Sequence, residues 1–127
     1  MLDRRELMRR AGMAALATGL GDKAVSLFYE KRLHKEASDV WINRCRAQIG
    51  AVLAALETDR SARPSSYWFG EQIGHADIAV ACVLRFILEV HAGLLPTVDY
   101  PALAGHAQRL EALPAFQKIQ QAFIPPA

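Results

Sequence analysis

Apolar residues recur at Met13, Leu16, Leu20, Ala24 and Leu27, three and four positions apart. That spacing lines one side of an α-helix, and with no proline between Arg4 and Leu33 it predicts a single long helix over that span. Val25 and Phe28 form a second row on a neighbouring face. Gly12, Gly19 and Gly21 each weaken such a helix by about 1 kcal/mol relative to alanine, so a bend or a close contact is expected among them. Ser38 or Asp39 is placed to cap a second helix, with a seam of Trp41, Cys45, Ile49, Val52 and Leu56 and an end near Asp59. The stretch DRSARPSSYWFGEQIG then carries prolyl, seryl and glycyl breakers. It reads as a connection long enough to pack its own aromatics, Tyr67, Trp68 and Phe69.

HADIAVACVLRFILEV follows, apolar all round, which predicts a central buried helix at roughly 75–91. Arg85 and His91 on it need partners or a path to solvent. After a break from Gly93 to Pro96, Leu103, Ala107, Leu110 and Leu113 share one side of a fourth helix. Pro114 starts a short last one with Phe116, Ile119 and Phe123 facing inward, and the tail IPPA ends it. No segment alternates polar and apolar as a half-buried strand would. The prediction is an all-α helical bundle of about five helices, one domain over 1–127.

The chain is 127 residues long, 52% apolar and 22% charged, enough to bury a core without disulfides. A net charge of +2, with Lys and Arg spread along the chain outside the cluster Arg4, Arg5, Arg9 and Arg10, gives no footprint for a nucleic-acid partner. Cys45 and Cys82 form no C-x-x-C pair and read as buried free thiols. His34, His75, His91 and His106 share no ligand spacing, so no metal site is expected. The serines lack any G-x-S-x-G setting, so no hydrolase nucleophile is expected either. No apolar run reaches the roughly 18 residues of a membrane span.

WFGEQIGHADIAVA is the most specific stretch in the chain. Ile73 precedes a helix start at Gly74, with Asp77 at the third helical position and Ile78 at the fourth. Ile73 and Ile78 are spaced as a hydrophobic staple, and the Asp77 carboxylate can accept from the Gly74 N–H. This constellation directs folding and not catalysis.

Phe69, Gly70 and Glu71, then Ala76, Asp77, Ile78 and Ala79, resemble the C-terminal domain of cytosolic glutathione S-transferases, where an aromatic-x-Gly-acid step leads into a capping box. Gly74 departs from the Ser or Thr usual at the cap, leaving only the carboxylate half of the box. ALATGLGDKAVSLFYEKR resembles the long first helix of that domain, WINRCRAQIGAVLAALE the second and YPALAGHAQRLEALPAFQKI the final pair, so the likeness covers nearly the whole chain.

The resemblance implies the helical half of a cytoplasmic transferase, whose thiol-activating groups and glutathione site belong to a thioredoxin-like domain that these residues do not encode. It implies no catalytic residue and no cofactor within this chain, glutathione being the co-substrate of the complete protein. Met13 and Leu20 become candidate walls of the electrophile pocket, and Asp22 a candidate carboxylate for the γ-glutamyl amine of glutathione across a dimer. The implied partners are a second copy or a thioredoxin-like domain. Similar helical domains also serve as non-catalytic docking modules, which is the alternative function.

The opening MLDRRELMRRAGMAALATGLGDKA admits a second reading. An arginine pair, a small apolar stretch and an Ala-x-Ala step at Ala15–Ala17 match a twin-arginine export signal. The helical row crosses the supposed cut and continues to Leu27, so the expectation is a small-residue helix face built for close approach.

Overall fold

Asp3 sets the start of the first helix, its side chain accepting from the Glu6 N–H at 2.8 Å. Such a cap stabilises a helix by about 1 kcal/mol. In the computed structural model, which describes residues 1–126, this helix, α1, runs from Arg4 to Leu33. Ser38 caps α2 (Asp39–Ser61) through a hydrogen bond from the Trp41 N–H. Helix α3 spans His75–Val90, a 3-10 turn follows at Ala92–Leu94, and α4 (Pro101–Glu111) and α5 (Pro114–Ile119) each begin on a proline. A proline at the first helical position gives up an N–H that would have had no partner there. The described residues contain no strand, and the all-α expectation holds. Ala127, the last residue of the expected IPPA terminator, lies outside the described residues; α5 ends earlier, at Ile119.

The core is a single cluster in which α3 packs between α1 and α4, and α2 closes one side. Ala17, Leu20, Ala24 and Leu27 supply the α1 side of it. Ile42, Cys45, Ile49, Leu53 and Leu56 supply the α2 side. The α2 seam is therefore shifted by one residue at two places from the expected one. Ile42 and Leu53 are inside where Trp41 and Val52 were expected, and Trp41 is exposed. On α1, Leu16 also lies outside. Gly21 answers the expectation of a close contact: a Cβ there would come within 3.2 Å of Val83 Cγ2, so α1 and α3 pack closely at that point. Gly12 and Gly19 face open space.

Three further expectations need correction. Helix α3 is central but open on one face, where Ile78 and Cys82 are exposed; Cys82 is thus a free surface thiol, and only Cys45 is buried. Ile119, the last residue of α5, is 76% exposed. Phe123 is half-buried beyond the helix end, packed edge-on against Phe28 and Phe86. The tail is held there by hydrogen bonds from Arg85 to Gln120 and Gln121, from the Phe123 N–H to Glu89, and from Arg32 to the Pro126 carbonyl. Arg85 also bonds Glu89 and Glu111, so it has the partners its position requires.

Candidate substrate groove and docking face

Asp77 is 1% exposed and joins two parts of the chain. Its Oδ2 accepts from the Gly74 N–H at 2.9 Å, the expected carboxylate half of the capping box. Its Oδ1 accepts from the Trp68 N–H at 2.7 Å, so the same carboxylate also anchors the connection. Ile73 and Ile78 remain 40% and 41% exposed, so the staple adds little burial and the polar bonds carry this helix start.

The connection is built around Trp68, which is fully buried. Its indole N–H donates to Asp59 at 2.6 Å, and Arg63 donates to the same carboxylate at 2.9 Å. Burial pushes the Asp59 carboxyl up, but hydrogen bonds from Arg63 and Trp68 outweigh this and hold it below the usual carboxylate range. The buried Arg60 guanidinium donates to the carbonyls of Ser65, Ser66 and Tyr67. Orphan loop carbonyls are thereby satisfied by one planar fork. Gly70, at φ 141°, takes a conformation that side chains disfavour, and its carbonyl accepts from Tyr67 to close the turn.

His106 lies beneath this connection, edge-on to Trp68. Its Nε2 sits 3.1 Å from the Asp77 carbonyl, an acceptor, which fixes the proton on Nε2. The buried Nδ1 has no partner and stands 4.0 Å from Asp77 Oδ1. Burial pushes the imidazole below its usual range and keeps it neutral.

Above the start of α3, a groove of about 480 Å³ opens between the first turns of α1 and the connection. Leu7, Ala11 and Ala14 form its α1 wall; Phe69, Gln72, His75 and Ala76 form the opposite one. Arg10 closes an end: its guanidinium is tied to Glu6 at 3.1 Å, reaches the Phe69 carbonyl at 3.4 Å and lies over the Phe69 ring. Beyond this groove the outside of α1 carries a strip of small and apolar residues at Ala15, Thr18, Gly19 and Val25, all exposed, with the exposed Asp22 between the last two. Ile78 and Cys82 of α3 are exposed as well. Exposed apolar positions beside a groove are the kind of surface that interaction sites use.

The residues singled out from the sequence fall apart here. Leu20 is 2% exposed and packs in the core. Met13 is half-buried against the same core, and Asp22 is exposed on α1; neither lines the groove. Arg10, Phe69 and His75 line the groove and were not among the candidates for it. The one available hint was Arg10 four positions after Glu6, a helical pairing interval. Ala17, at the supposed signal cleavage step, is fully buried inside α1. No described helix is long and apolar enough to cross a membrane, and no described His, Cys, Asp and Glu cluster could hold a metal.

Comparison with known proteins agrees with this architecture. A glutathione S-transferase from Methylobacillus flagellatus KT, solved with glutathione bound, superposes with a TM-score of 0.83 over 93% of this chain and 58% of its own, at 24% identity. One from Methylobacterium radiotolerans, in complex with glutathione sulfonate, gives 0.83 over 100% of this chain and 61% of its own, also at 24% identity. A glutathione transferase family member from Pseudomonas fluorescens Pf-5, with bound glutathione, gives 0.80 over 100% and 58%, at 26% identity. The chain thus spans about three-fifths of the length of these proteins. No curated protein sequence matches. A family model for the glutathione S-transferase C-terminal domain matches residues 39–109, from the start of α2 through α3 and most of α4. With more than half of its length under that model and the Asp77 cap at its centre, the chain belongs to the glutathione S-transferase C-terminal domain family.

Proposed function

We propose that this domain forms the apolar wall of an electrophile pocket and part of a dimer interface, working against a thioredoxin-like domain that activates glutathione. The observation that carries this reading is the open groove and apolar strip on α1 and α3, in a domain of this family. In the complete assembly, glutathione thiolate would attack an electrophilic carbon and the leaving group would depart with its electron pair. Ala11, Ala14 and Phe69 would shelter the apolar part of the electrophile. Met13 and Leu20, on the core side of α1, would support this wall, and Asp22, exposed on α1, would meet the γ-glutamyl amine across a dimer.

The same exposed strip supports a second reading, a non-catalytic module that docks another protein. Both readings place a partner on α1 and both expect a cytoplasmic protein. They differ in whether thiol transfer takes place beside it.

Incubating the 127-residue chain alone with glutathione and a chromogenic aryl halide is expected to give the uncatalysed conjugation rate, because thiol activation is assigned to the other domain. A rate proportional to the concentration of this chain would overturn that division of labour.

A further inference from the structure

A second concavity, of about 430 Å³, lies where α1 and α3 end, roughly 24 Å along α1 from the groove described above, taking sixteen residues of helical rise. Lys31 comes from α1, Arg46 from α2 and His91 from the end of α3, so three elements bring basic groups to one place. Every ionisable residue lining it is basic. Lys31 and Arg46 make no ion pair or hydrogen bond through their side chains among the described residues. Glu30, next to Lys31, is engaged with His34 at 2.7 Å and the Ser38 N–H at 3.0 Å, and Glu89, two residues before His91, with Arg85 and the Phe123 N–H.

His91 is oriented by its Nε2, which stands 2.9 Å from the Ala24 carbonyl and must carry the proton to bond it. Nδ1 is the ring's remaining site, without a partner among the described residues and not counted among their enclosed orphan atoms. Leu27, Val90 and Leu94 make the rest of the wall apolar.

We infer that this concavity is a binding site for an organic oxyanion, its phosphate or carboxylate held between Lys31 and Arg46 and its apolar part resting on Leu27, Val90 and Leu94. Two uncompensated cations beside an apolar wall match such a ligand in both charge and shape. Burial, with the Lys31 and Arg46 charges beside it, pushes the His91 imidazole below its usual range, so it lines the site as a neutral ring and the two cations hold the anion.

Phenyl phosphate and benzoate, titrated separately into the 127-residue chain at constant chloride-adjusted ionic strength, test the site by amide chemical shifts. Saturable shifts are expected at Lys31, Arg46, His91 and the Ala92–Leu94 turn. Tighter binding of phenyl phosphate assigns the site to phosphomonoesters, and equal affinities extend it to organic carboxylates. Lys31→Ala and Arg46→Ala, both at exposed positions, should each weaken binding about fivefold while leaving the melting temperature unchanged. Arg44→Ala, on the same helix but outside the concavity, should leave affinity as it is. The assignment is overturned if no shift saturates by about 20 mM. It is equally overturned if Arg44→Ala weakens binding as much as the other two, or if the shifts map to the Arg4–Arg10 cluster.

Discussion

Asp77→Ala is expected to lower the unfolding free energy by about 3 kcal/mol, read as a shift of the urea midpoint with an unchanged slope. The carboxylate accepts from two backbone N–H groups, Trp68 at 2.7 Å and Gly74 at 2.9 Å, and alanine leaves the first of them orphaned in the core. An unsatisfied buried donor costs about 1–3 kcal/mol, and a lost carboxylate at a helix start adds up to about 1 kcal/mol. His106 adds nothing to offset this, since its bond runs to the Asp77 carbonyl and not to the carboxylate. Asp77→Asn keeps one acceptor oxygen and should fall between the two. A loss below about 1 kcal/mol for the alanine variant would mean that the connection holds Trp68 by other means.

Trp68→Ala should be of similar or greater effect, about 3–5 kcal/mol, because a fully buried indole is removed from beneath a connection that has few other core contacts. The arginines could not compensate: Arg60 lies over the indole ring, and Arg63 donates to the Trp68 carbonyl. Trp68→Phe separates packing from polarity. It keeps most of the volume and loses the 2.6 Å bond to Asp59, for an expected cost of about 1–2 kcal/mol. Equal losses in the two variants would show that the indole N–H, and not the ring, secures the connection.

The two predictions rest on residues whose legibility differs. Asp77 could be read as a cap from four letters, because Gly74, Asp77 and the apolar positions around them are local in sequence. Its bond to Trp68 could not, because it is made between a loop and a helix whose relative placement only the packed core decides. The same limit applies to Arg10 and Phe69, which meet across 59 positions. Helix starts came through well where a cap or a proline marked them, at Ser38, Gly74 and Pro114.

Helix phase was harder. Trp41 and Ile42 are adjacent apolar letters, as are Val52 and Leu53, and a seam fits either member until the neighbouring helix selects one. His106 takes a core position that apolar spacing does not mark, its Nε2 meeting the Asp77 carbonyl, while Ala107 beside it packs half-buried against the same core. Leu20 shows the deeper difficulty. Three-and-four spacing marks the buried face of a helix, and a substrate wall has the same spacing, so letters alone do not distinguish a pocket from a core.

The central claim is the proposal that a partner covers the exposed face of α1. Static light scattering on the 127-residue chain across a concentration series tests it most directly, with Thr18→Arg, an exposed change in the middle of the strip, as the companion variant. The expected result is a mass that rises above 14.0 kDa with concentration for the native chain and stays at one chain for Thr18→Arg. A native chain that remains at 14.0 kDa up to its solubility limit would contradict it.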